Sequence, residues 1–265
     1  MGRSCQRPES SAQQADYPLN LNWIMPARGK ISALMLWHKG FRFKGKRAGR
    51  NVCMVKLKDY SLYLVITEGY ALGRDSLSIA KAAIAGGVDI LQMREKDKSS
   101  EELCKIGGEL SRFCKNSEII FIVNDDPDLA KEVDADGVHI GQSDLIKHPI
   151  KKIRGIIGKS KLIGLSTHSL EEFKRANESD LDYISYGPIF PTKTKDYFIG
   201  TSEIKDVLSI ASKPVVFIGG INILNLDGLL DLGVRNIALI RDIVEAEDIT
   251  LKTKEFKHKL TGREK

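Results

Sequence analysis

Hydrophobic runs of strand length alternate with amphipathic stretches from Tyr60 to near the end of the chain. This alternation predicts consecutive strand–helix units and a parallel sheet. Eight strands are predicted, at Ser61–Ile66, Val88–Met93, Ile119–Val123, Gly137–Ile140, Leu162–Leu165, Tyr183–Tyr186, Val215–Ile218 and Asn236–Ile240. Eight such units in about 200 residues are typical of a single-domain α/β protein with a (β/α)8 TIM barrel, and a doubly wound open sheet is the alternative.

Several predicted helices begin at a residue that can cap them. Asp75 precedes one helix, and Ser99 with Glu102 has the spacing of a capping box. Ser169 with Glu172 repeats that spacing. With these starts, the predicted helices cover about 75–85, 99–115, 203–210, 223–232 and 248–259.

The N-terminal segment lacks the regular pattern. We predict that residues 1–58 form a basic, poorly ordered extension and that residues 59–265 form the barrel domain. Residues 1–53 carry ten lysines and arginines against two acidic residues, a net charge of +8, whereas the whole chain carries +6. The interpretation favoured for this segment is an upstream extension of the reading frame before Met54, and a transit peptide or a nucleic-acid-binding arm are the alternatives.

Composition excludes several classes of protein for the main domain. No hydrophobic run approaches the roughly 20 residues that span a bilayer, so no membrane partner is expected. The excess positive charge lies in the extension, and we therefore expect no nucleic-acid partner for the barrel. The four cysteines form no close pair and no metal-ligand spacing, which indicates reduced thiols in a cytoplasmic protein. A homo-oligomer remains compatible with the sequence.

Polar side chains follow the predicted strands at the points where the strands end. In a TIM barrel the carboxyl ends of the strands form the active-site face, so these side chains should meet on one rim. Seven segments contribute, namely Gln92–Lys96, Asn124–Asp126, His139–Asp144, Ser166–His168, Gly187–Lys195, Gly219–Gly220 and Arg241–Asp242. Asp136 precedes its strand and is expected on the opposite rim, where it would serve stability.

Two of these segments have the composition of phosphate sites. Alternation along an extended chain places Gln92, Arg94 and Lys96 on one face, and an amide beside two cations suits a polyphosphate. The loop Gly187–Lys195 brings two hydroxyls and two ammonium groups together within four residues. A phosphate site and a solvated basic turn are both compatible with that loop when it is considered alone.

Two carboxylates on neighbouring strands predict a metal site. Asp125 and Asp144 each lie just beyond a strand, and paired carboxylates beside phosphates commonly bind Mg²⁺. The alternative for each is a helix cap, which is the predicted role of Asp126. His139 and His168 also lie on the rim and are given no role.

From about Tyr60 to Ala246 the chain resembles the thiamine-phosphate synthase family. Six motifs carry the resemblance in order and spacing: Gln92–Lys96, Val123–Asp125, Gly137–Asp144, Gly164–His168, Gly187–Lys195 and Gly219–Ile221. It implies a (β/α)8 enzyme that joins 4-amino-2-methyl-5-hydroxymethylpyrimidine diphosphate to a thiazole phosphate. Thiamine phosphate and diphosphate are the implied products of this reaction.

The resemblance also implies site residues by position. The pyrimidine diphosphate would be held by Gln92, Arg94, Lys96, Asn124, Ser166 and Lys195. Among these, Arg94, Lys96 and Lys195 would be catalytic because they stabilise charge on the leaving diphosphate. Mg²⁺ would be bound by Asp125 and Asp144. The thiazole phosphate would be bound by Thr192, Lys193, Thr194, Gly220, Ile240 and Arg241.

The chain departs from the family pattern at two positions. Ser143 stands where the family often has another acidic residue, and Arg241 stands where it commonly has a serine on the thiazole phosphate. The alternative functions are a thiazole tautomerase on the same barrel and a non-catalytic sensor of thiazole or thiamine phosphate. The tautomerase has no use for a diphosphate site, and a sensor need not retain two metal carboxylates beside a cation cluster.

Overall fold

The strands close into a barrel in the order in which they occur in the chain. The structure is a computed structural model that describes residues 57–262. The strands within these residues are β1 (Leu62–Ile66), β2 (Ile90–Met93), β3 (Ile120–Asn124), β4 (Gly137–Ile140), β5 (Leu162–Thr167), β6 (Tyr183–Tyr186), β7 (Val215–Ile218) and β8 (Asn236–Leu239). The last strand, β8, pairs in parallel with β1 and closes the barrel. The predicted (β/α)8 barrel is confirmed, and the open sheet is excluded.

Helices connect the strands and surround the barrel. The described residues contain α1 (Ser76–Gly86), α2 (Ser100–Ser117), α3 (Pro127–Glu132), α4 (Ile150–Ile157), α5 (Leu170–Asn177), α6 (Ile204–Ile210), α7 (Leu226–Asp231), α8 (Arg241–Val244) and α9 (Ile249–Thr261). Short 3-10 segments at Glu68–Tyr70 and Gln142–Ile146 follow β1 and β4. None of the helices within residues 57–262 is long and apolar enough to cross a membrane.

The predicted caps are confirmed at α1 and α2. The Asp75 side chain accepts a hydrogen bond from the backbone of Ser78, and Ser99 with Glu102 forms a complete capping box. At α5 the Ser169 hydroxyl accepts a hydrogen bond from the Glu172 N–H and caps the helix. The Glu172 carboxylate, however, accepts from the backbone N–H of His168 and not from that of Ser169. The predicted capping box at α5 is therefore wrong in its second half.

Alternation along the strands divides the side chains into two layers. One set faces the helices and forms the main hydrophobic core around the barrel. A second, smaller cluster belongs to alternate strand positions and fills the barrel interior; it consists of Tyr63, Val65, Ile90, Ile122, Leu162, Tyr183, Val216 and Ala238. These side chains fill the middle of the barrel, and all of them are apolar except for the hydroxyl groups of Tyr63 and Tyr183.

The amino ends of the strands carry a repeated structural contact. The side chains of Asp89, Asp136 and Asp182 each accept a hydrogen bond from a backbone N–H of the preceding strand, at 2.7, 3.0 and 2.8 Å. A carboxylate in this position accepts the hydrogen bond of a backbone N–H near the amino end of the strand. The expected structural role of Asp136 is confirmed.

The predicted N-terminal extension lies outside the described residues except for Leu57 and Lys58. Its boundary with the barrel domain therefore stays a prediction. Of the cysteines, Cys104 and Cys114 fall within residues 57–262 and form no disulfide there.

Candidate active site

A cavity of about 690 Å³ opens at the carboxyl ends of the strands. Its volume lies within the usual range for small-molecule sites. Every residue predicted to bind substrate or metal lines this cavity: Gln92, Arg94, Lys96, Asn124, Asp125, Asp144, Ser166, Thr192, Lys193, Thr194, Lys195, Gly220, Ile240 and Arg241. The side chains that the sequence distributes over 150 residues are thus brought to one rim.

The alternation predicted after β2 persists beyond the end of the strand. Gln92, Arg94 and Lys96 face the cavity, whereas the Glu95 carboxylate accepts hydrogen bonds from the Glu68 backbone and the Ser76 hydroxyl on the other side. Gln92 is 3% exposed, and its amide nitrogen has no partner among the described residues. A buried donor on the wall of a cavity is satisfied when a ligand supplies the acceptor.

Asp125 is held by its backbone and side chain through contacts other than a helix cap. Its φ of 60° is left-handed, which is uncommon outside glycine. One carboxylate oxygen accepts from the Gly141 N–H at 2.8 Å, and the other accepts from the Asn124 amide. The adjacent Asp126 accepts from the Leu129 N–H at 2.9 Å and caps α3, as predicted. The two neighbouring carboxylates therefore have separate tasks.

Asp144 approaches Asp125 across Gly141. A Cβ placed on Gly141 would lie 3.3 Å from an Asp144 oxygen and 3.7 Å from an Asp125 oxygen, so both carboxylates flank the same small space. Burial raises the pKa of Asp125, and the charge of Asp144 raises it further. Neither carboxylate takes part in any of the ion pairs formed within residues 57–262. The described residues therefore provide no salt-bridge partner for the carboxylates of Asp125 and Asp144.

The loop between β6 and α6 presents its hydroxyl and ammonium groups to the cavity. The Thr192 and Thr194 hydroxyl oxygens lie 3.0 Å apart, and Thr192 pairs with Lys195 in an isolated antiparallel bridge. This bridge makes a tight turn whose two lysines, Lys193 and Lys195, both line the cavity. Lys193 and Lys195 are exposed, as in a solvated turn, but the residues of the turn also line the cavity, as a phosphate site requires.

Gly220 allows this loop to lie directly against the end of β7. Its φ is +63°, and a Cβ there would come within 2.5 Å of the Pro191 carbonyl oxygen and 2.8 Å of the Phe190 Cβ. The loop is fixed to the same region by backbone hydrogen bonds from Ile189 to Ile218 and from Phe190 to Gly219, each of 2.9 Å. The absence of a side chain at position 220 is thus required by both conformation and close approach.

Arg241 lies on the cavity wall while it is held by two other side chains. Its guanidinium lies 3.9 Å from the centre of the Tyr70 ring and 2.7 Å from the Glu245 carboxylate. The side chain thus pairs with Glu245, yet it remains only 27% exposed and lines the cavity. Its Nε is buried and has no partner among residues 57–262, so one donor remains available to a ligand.

The cavity also contains side chains to which the sequence assigned no role. Tyr63, His139 and Ser185 lie on its floor, and Tyr197 lies on its edge. The sequence already placed His139 on the rim with the other strand-end residues, although without a role. Tyr70 contacts Arg241 from the 3-10 segment after β1, and no pattern in the sequence indicated this contact.

Comparisons with known proteins agree with the geometry of the site. The model of the family described as thiamine monophosphate synthase matches residues 62–243. The thiamine-phosphate synthase of Persephonella marina is 41% identical over 76% of this chain and 95% of its own length. That of Halalkalibacterium halodurans is 40% identical over 73% and 92%.

A solved structure supports the same relationship. Thiamine phosphate pyrophosphorylase from Pyrococcus furiosus superposes with a TM-score of 0.70 at 32% identity, and the match covers 77% of this chain and 96% of that one. The family match extends over most of the barrel and includes every segment that contributes to the cavity. The chain belongs to the thiamine monophosphate synthase family.

Proposed function

We propose that this protein is a thiamine-phosphate synthase, which joins 4-amino-2-methyl-5-hydroxymethylpyrimidine diphosphate to a thiazole phosphate. The observation that carries the proposal is the meeting of two anion sites in one cavity. Arg94 and Lys96 follow β2, the turn Thr192–Lys195 follows β6, and both segments line the cavity. Two phosphorylated substrates that react with each other require such a pair of sites within one space.

The reaction breaks one bond and forms one bond. The C–O bond between the pyrimidine methylene carbon and the diphosphate breaks, and its electron pair leaves with the diphosphate. The lone pair of the thiazole nitrogen forms the new C–N bond to that carbon, so no proton needs to be removed. Arg94, Lys96 and Lys195 would stabilise the negative charge that develops on the leaving group. Gln92, Asn124 and Ser166 would orient the pyrimidine diphosphate for this step.

The second anion site would receive the thiazole phosphate. The hydroxyls of Thr192 and Thr194 and the ammonium of Lys193 would hold the phosphate, because the turn directs all three toward the cavity. Gly220, Ile240 and Arg241 form the adjoining wall and would complete the site. The phosphate would thereby fix the position of the thiazole ring relative to the reactive carbon.

The carboxylates of Asp125 and Asp144 fit Mg²⁺. No group of three or more His, Cys, Asp or Glu side chains within residues 57–262 forms a complete metal cage. Mg²⁺ commonly takes only one or two carboxylates and completes its octahedron with water and substrate phosphate oxygens. When bound between these carboxylates and the diphosphate, the ion would neutralise charge on the leaving group. The raised pKa of Asp125 agrees with a site in which carboxylate charge awaits a counter-charge.

The experiment that tests the function uses the full chain. It is incubated with the pyrimidine diphosphate, the thiazole phosphate and Mg²⁺, and thiamine phosphate and diphosphate are measured over time. Equal amounts of the two products are expected, with formation abolished by EDTA and restored by added Mg²⁺. Isomerisation of a thiazole substrate without diphosphate release would indicate the tautomerase. Tight binding of ligands without turnover would indicate the sensor.

A further inference from the structure

A chain of hydrogen bonds runs through the barrel interior to the floor of the cavity. The Tyr63 hydroxyl lies 3.0 Å from the Tyr183 hydroxyl, which lies 2.9 Å from Nδ1 of His139. Nε2 of His139 lies 2.9 Å from the Ser166 hydroxyl. Tyr63, Tyr183 and His139 are 3%, 0% and 9% exposed, so three buried polar groups lead to one predicted substrate-binding hydroxyl.

The number of protons in this chain determines its direction. Tyr183 is the hydrogen-bond partner that the described residues provide for the Tyr63 hydroxyl. If Tyr63 donates to Tyr183, then Tyr183 must donate to Nδ1 of His139, because a phenol has only one proton. A neutral imidazole then carries its proton on Nε2 and donates it to the Ser166 oxygen. In the opposite direction the buried Tyr63 proton would have no acceptor among the described residues, which is unfavourable.

The imidazole of His139 is buried between two hydroxyl groups. Because Tyr183 donates to Nδ1, that nitrogen keeps its lone pair, and the ring carries its one N–H on Nε2. Ser185 Oγ lies farther away, 3.3 Å from Nε2 and 3.5 Å from the Ser166 Oγ, and competes less well for the imidazole proton.

The backbone opposite Tyr183 is shaped to admit its ring. Gly164 in β5 pairs with Tyr183 in β6. A Cβ on Gly164 would lie 2.1 Å from the carbon of the Tyr183 ring that bears the hydroxyl. The ring also stacks on His139 with centroids 5.4 Å apart. The phenol and the imidazole are therefore fixed relative to each other by packing as well as by their hydrogen bond.

We propose that Tyr63, Tyr183 and His139 are positioning residues that keep the Ser166 hydroxyl available as a hydrogen-bond donor to the substrate. Because Ser166 accepts from His139, its own proton is free to point into the cavity. In this enzyme the acceptor would be an atom of the pyrimidine diphosphate. This inference rests on the proposed function for the identity of the substrate, but the direction of the chain is a property of the protein alone.

The strand that carries Tyr183 also supplies a matched control. Tyr186 lies three residues later and faces the surrounding helices, where its hydroxyl donates to Glu203. Both phenols are fully buried and both are hydrogen bonded. Changing either tyrosine to phenylalanine removes one buried hydroxyl from β6, but only Tyr183 belongs to the chain that reaches Ser166.

The test combines a kinetic and a spectroscopic measurement on the full-length protein. Tyr183→Phe should raise KM for the pyrimidine diphosphate about fivefold, as expected when one neutral hydrogen bond is lost, and should leave KM for the thiazole phosphate unchanged. Tyr186→Phe should change neither constant. In 15N spectra of histidine-labelled protein, with the His139 signals assigned from His139→Asn, the wild type should show the Nε2–H tautomer. Tyr183→Phe should shift the population toward Nδ1–H.

Each result has a defined consequence. A wild-type Nδ1–H tautomer, or equal kinetics for Tyr183→Phe and the wild type, would overturn the inference while leaving the synthase assignment intact. A wild-type protein that forms no thiamine phosphate would refute the proposed function, and the tautomer measurement would still determine the direction of the chain. If Tyr183→Phe does not fold, Tyr63→Phe serves as the second variant. In this variant Tyr183 still has Nδ1 of His139 as an acceptor, so the Nε2–H tautomer should persist. A change to the Nδ1–H tautomer would overturn the inference.

Discussion

Replacing Arg241 tests the position at which this chain departs most clearly from the pattern of its family. We predict that Arg241→Ala raises KM for the thiazole phosphate by slightly more than tenfold and leaves KM for the pyrimidine diphosphate unchanged. The side chain lines the cavity beside Gly220 and Ile240, and its buried Nε has no partner among the described residues. A phosphate oxygen would supply the missing acceptor.

The magnitude follows from the contacts that Arg241 already makes. A hydrogen bond to a charged group contributes about 1.5–3 kcal/mol. Glu245 lies 2.7 Å from one guanidinium nitrogen and offsets part of the positive charge, so we expect the lower end of that range. A loss of about 1.5 kcal/mol corresponds to slightly more than a tenfold change in affinity. Arg241→Ser, which restores the common family residue, should give a smaller rise because the hydroxyl can make one neutral hydrogen bond.

The control is an arginine with the same kinds of neighbour at the other end of the barrel. Arg235 pairs with Asp59 at 2.8 Å and lies 5.9 Å from the centre of the Tyr60 ring, but it does not line the cavity. Arg235→Ala should leave both Michaelis constants unchanged in the same steady-state assay. If Arg241→Ala changes both constants equally, or changes neither, the guanidinium does not bind the thiazole phosphate and the reasoning is refuted.

Two further predictions concern the metal carboxylates and the phosphate turn. Asp125→Asn and Asp144→Asn should each lower kcat by about a hundredfold or more. The melting temperature should be unchanged or raised, since each substitution removes one of two repelling charges. As a control, Asp75→Ala removes the α1 cap and should lower the free energy of unfolding by about 1 kcal/mol with normal kinetics. Wild-type kcat in either asparagine variant would exclude a role in metal binding. Gly220→Ala should raise KM for the thiazole phosphate because a Cβ would meet the Pro191 carbonyl oxygen at 2.5 Å, whereas Gly108→Ala, which meets nothing within 4 Å, should not. An unchanged KM for Gly220→Ala would show that the turn can move without loss of the site.

Both bounds were predicted correctly for three strands that end on a hydrophobic residue. Gly137–Ile140, Tyr183–Tyr186 and Val215–Ile218 have the predicted bounds. By contrast β5 continues through Ser166 and Thr167, which pair with β6. Polar residues at the carboxyl end of a barrel strand belong to the site, so their polarity conceals the continuation of the strand. The same feature that reveals the active-site face thus obscures the strand ends.

Helix ends were predictable only where a side chain cap was the local signal. The first helix ends one residue later than predicted, since Gly87 and not Gly86 takes the left-handed conformation. The predicted helix at 223–232 begins at Leu226, because the Asn222 side chain accepts a hydrogen bond from the Leu224 N–H and the Asn225 side chain accepts one from the Asn222 N–H. The bounds of α4 were not predicted, and its first residue follows Pro149, which provides no side-chain cap.

The site residues were predictable as a set because a barrel collects its strand ends on one rim, but their individual roles depend on contacts between distant segments. Asp125 and Asp126 are adjacent carboxylates, and only the hydrogen bond from Gly141 distinguishes the first from a helix cap. Glu245 follows Arg241 by one helical turn, so their pairing was predictable from spacing. The Tyr70 ring that holds Arg241 on the cavity wall comes from the opposite end of the sequence. Closure of β8 onto β1 brings these segments together, and this closure places an ion pair of ordinary helical spacing on the cavity wall.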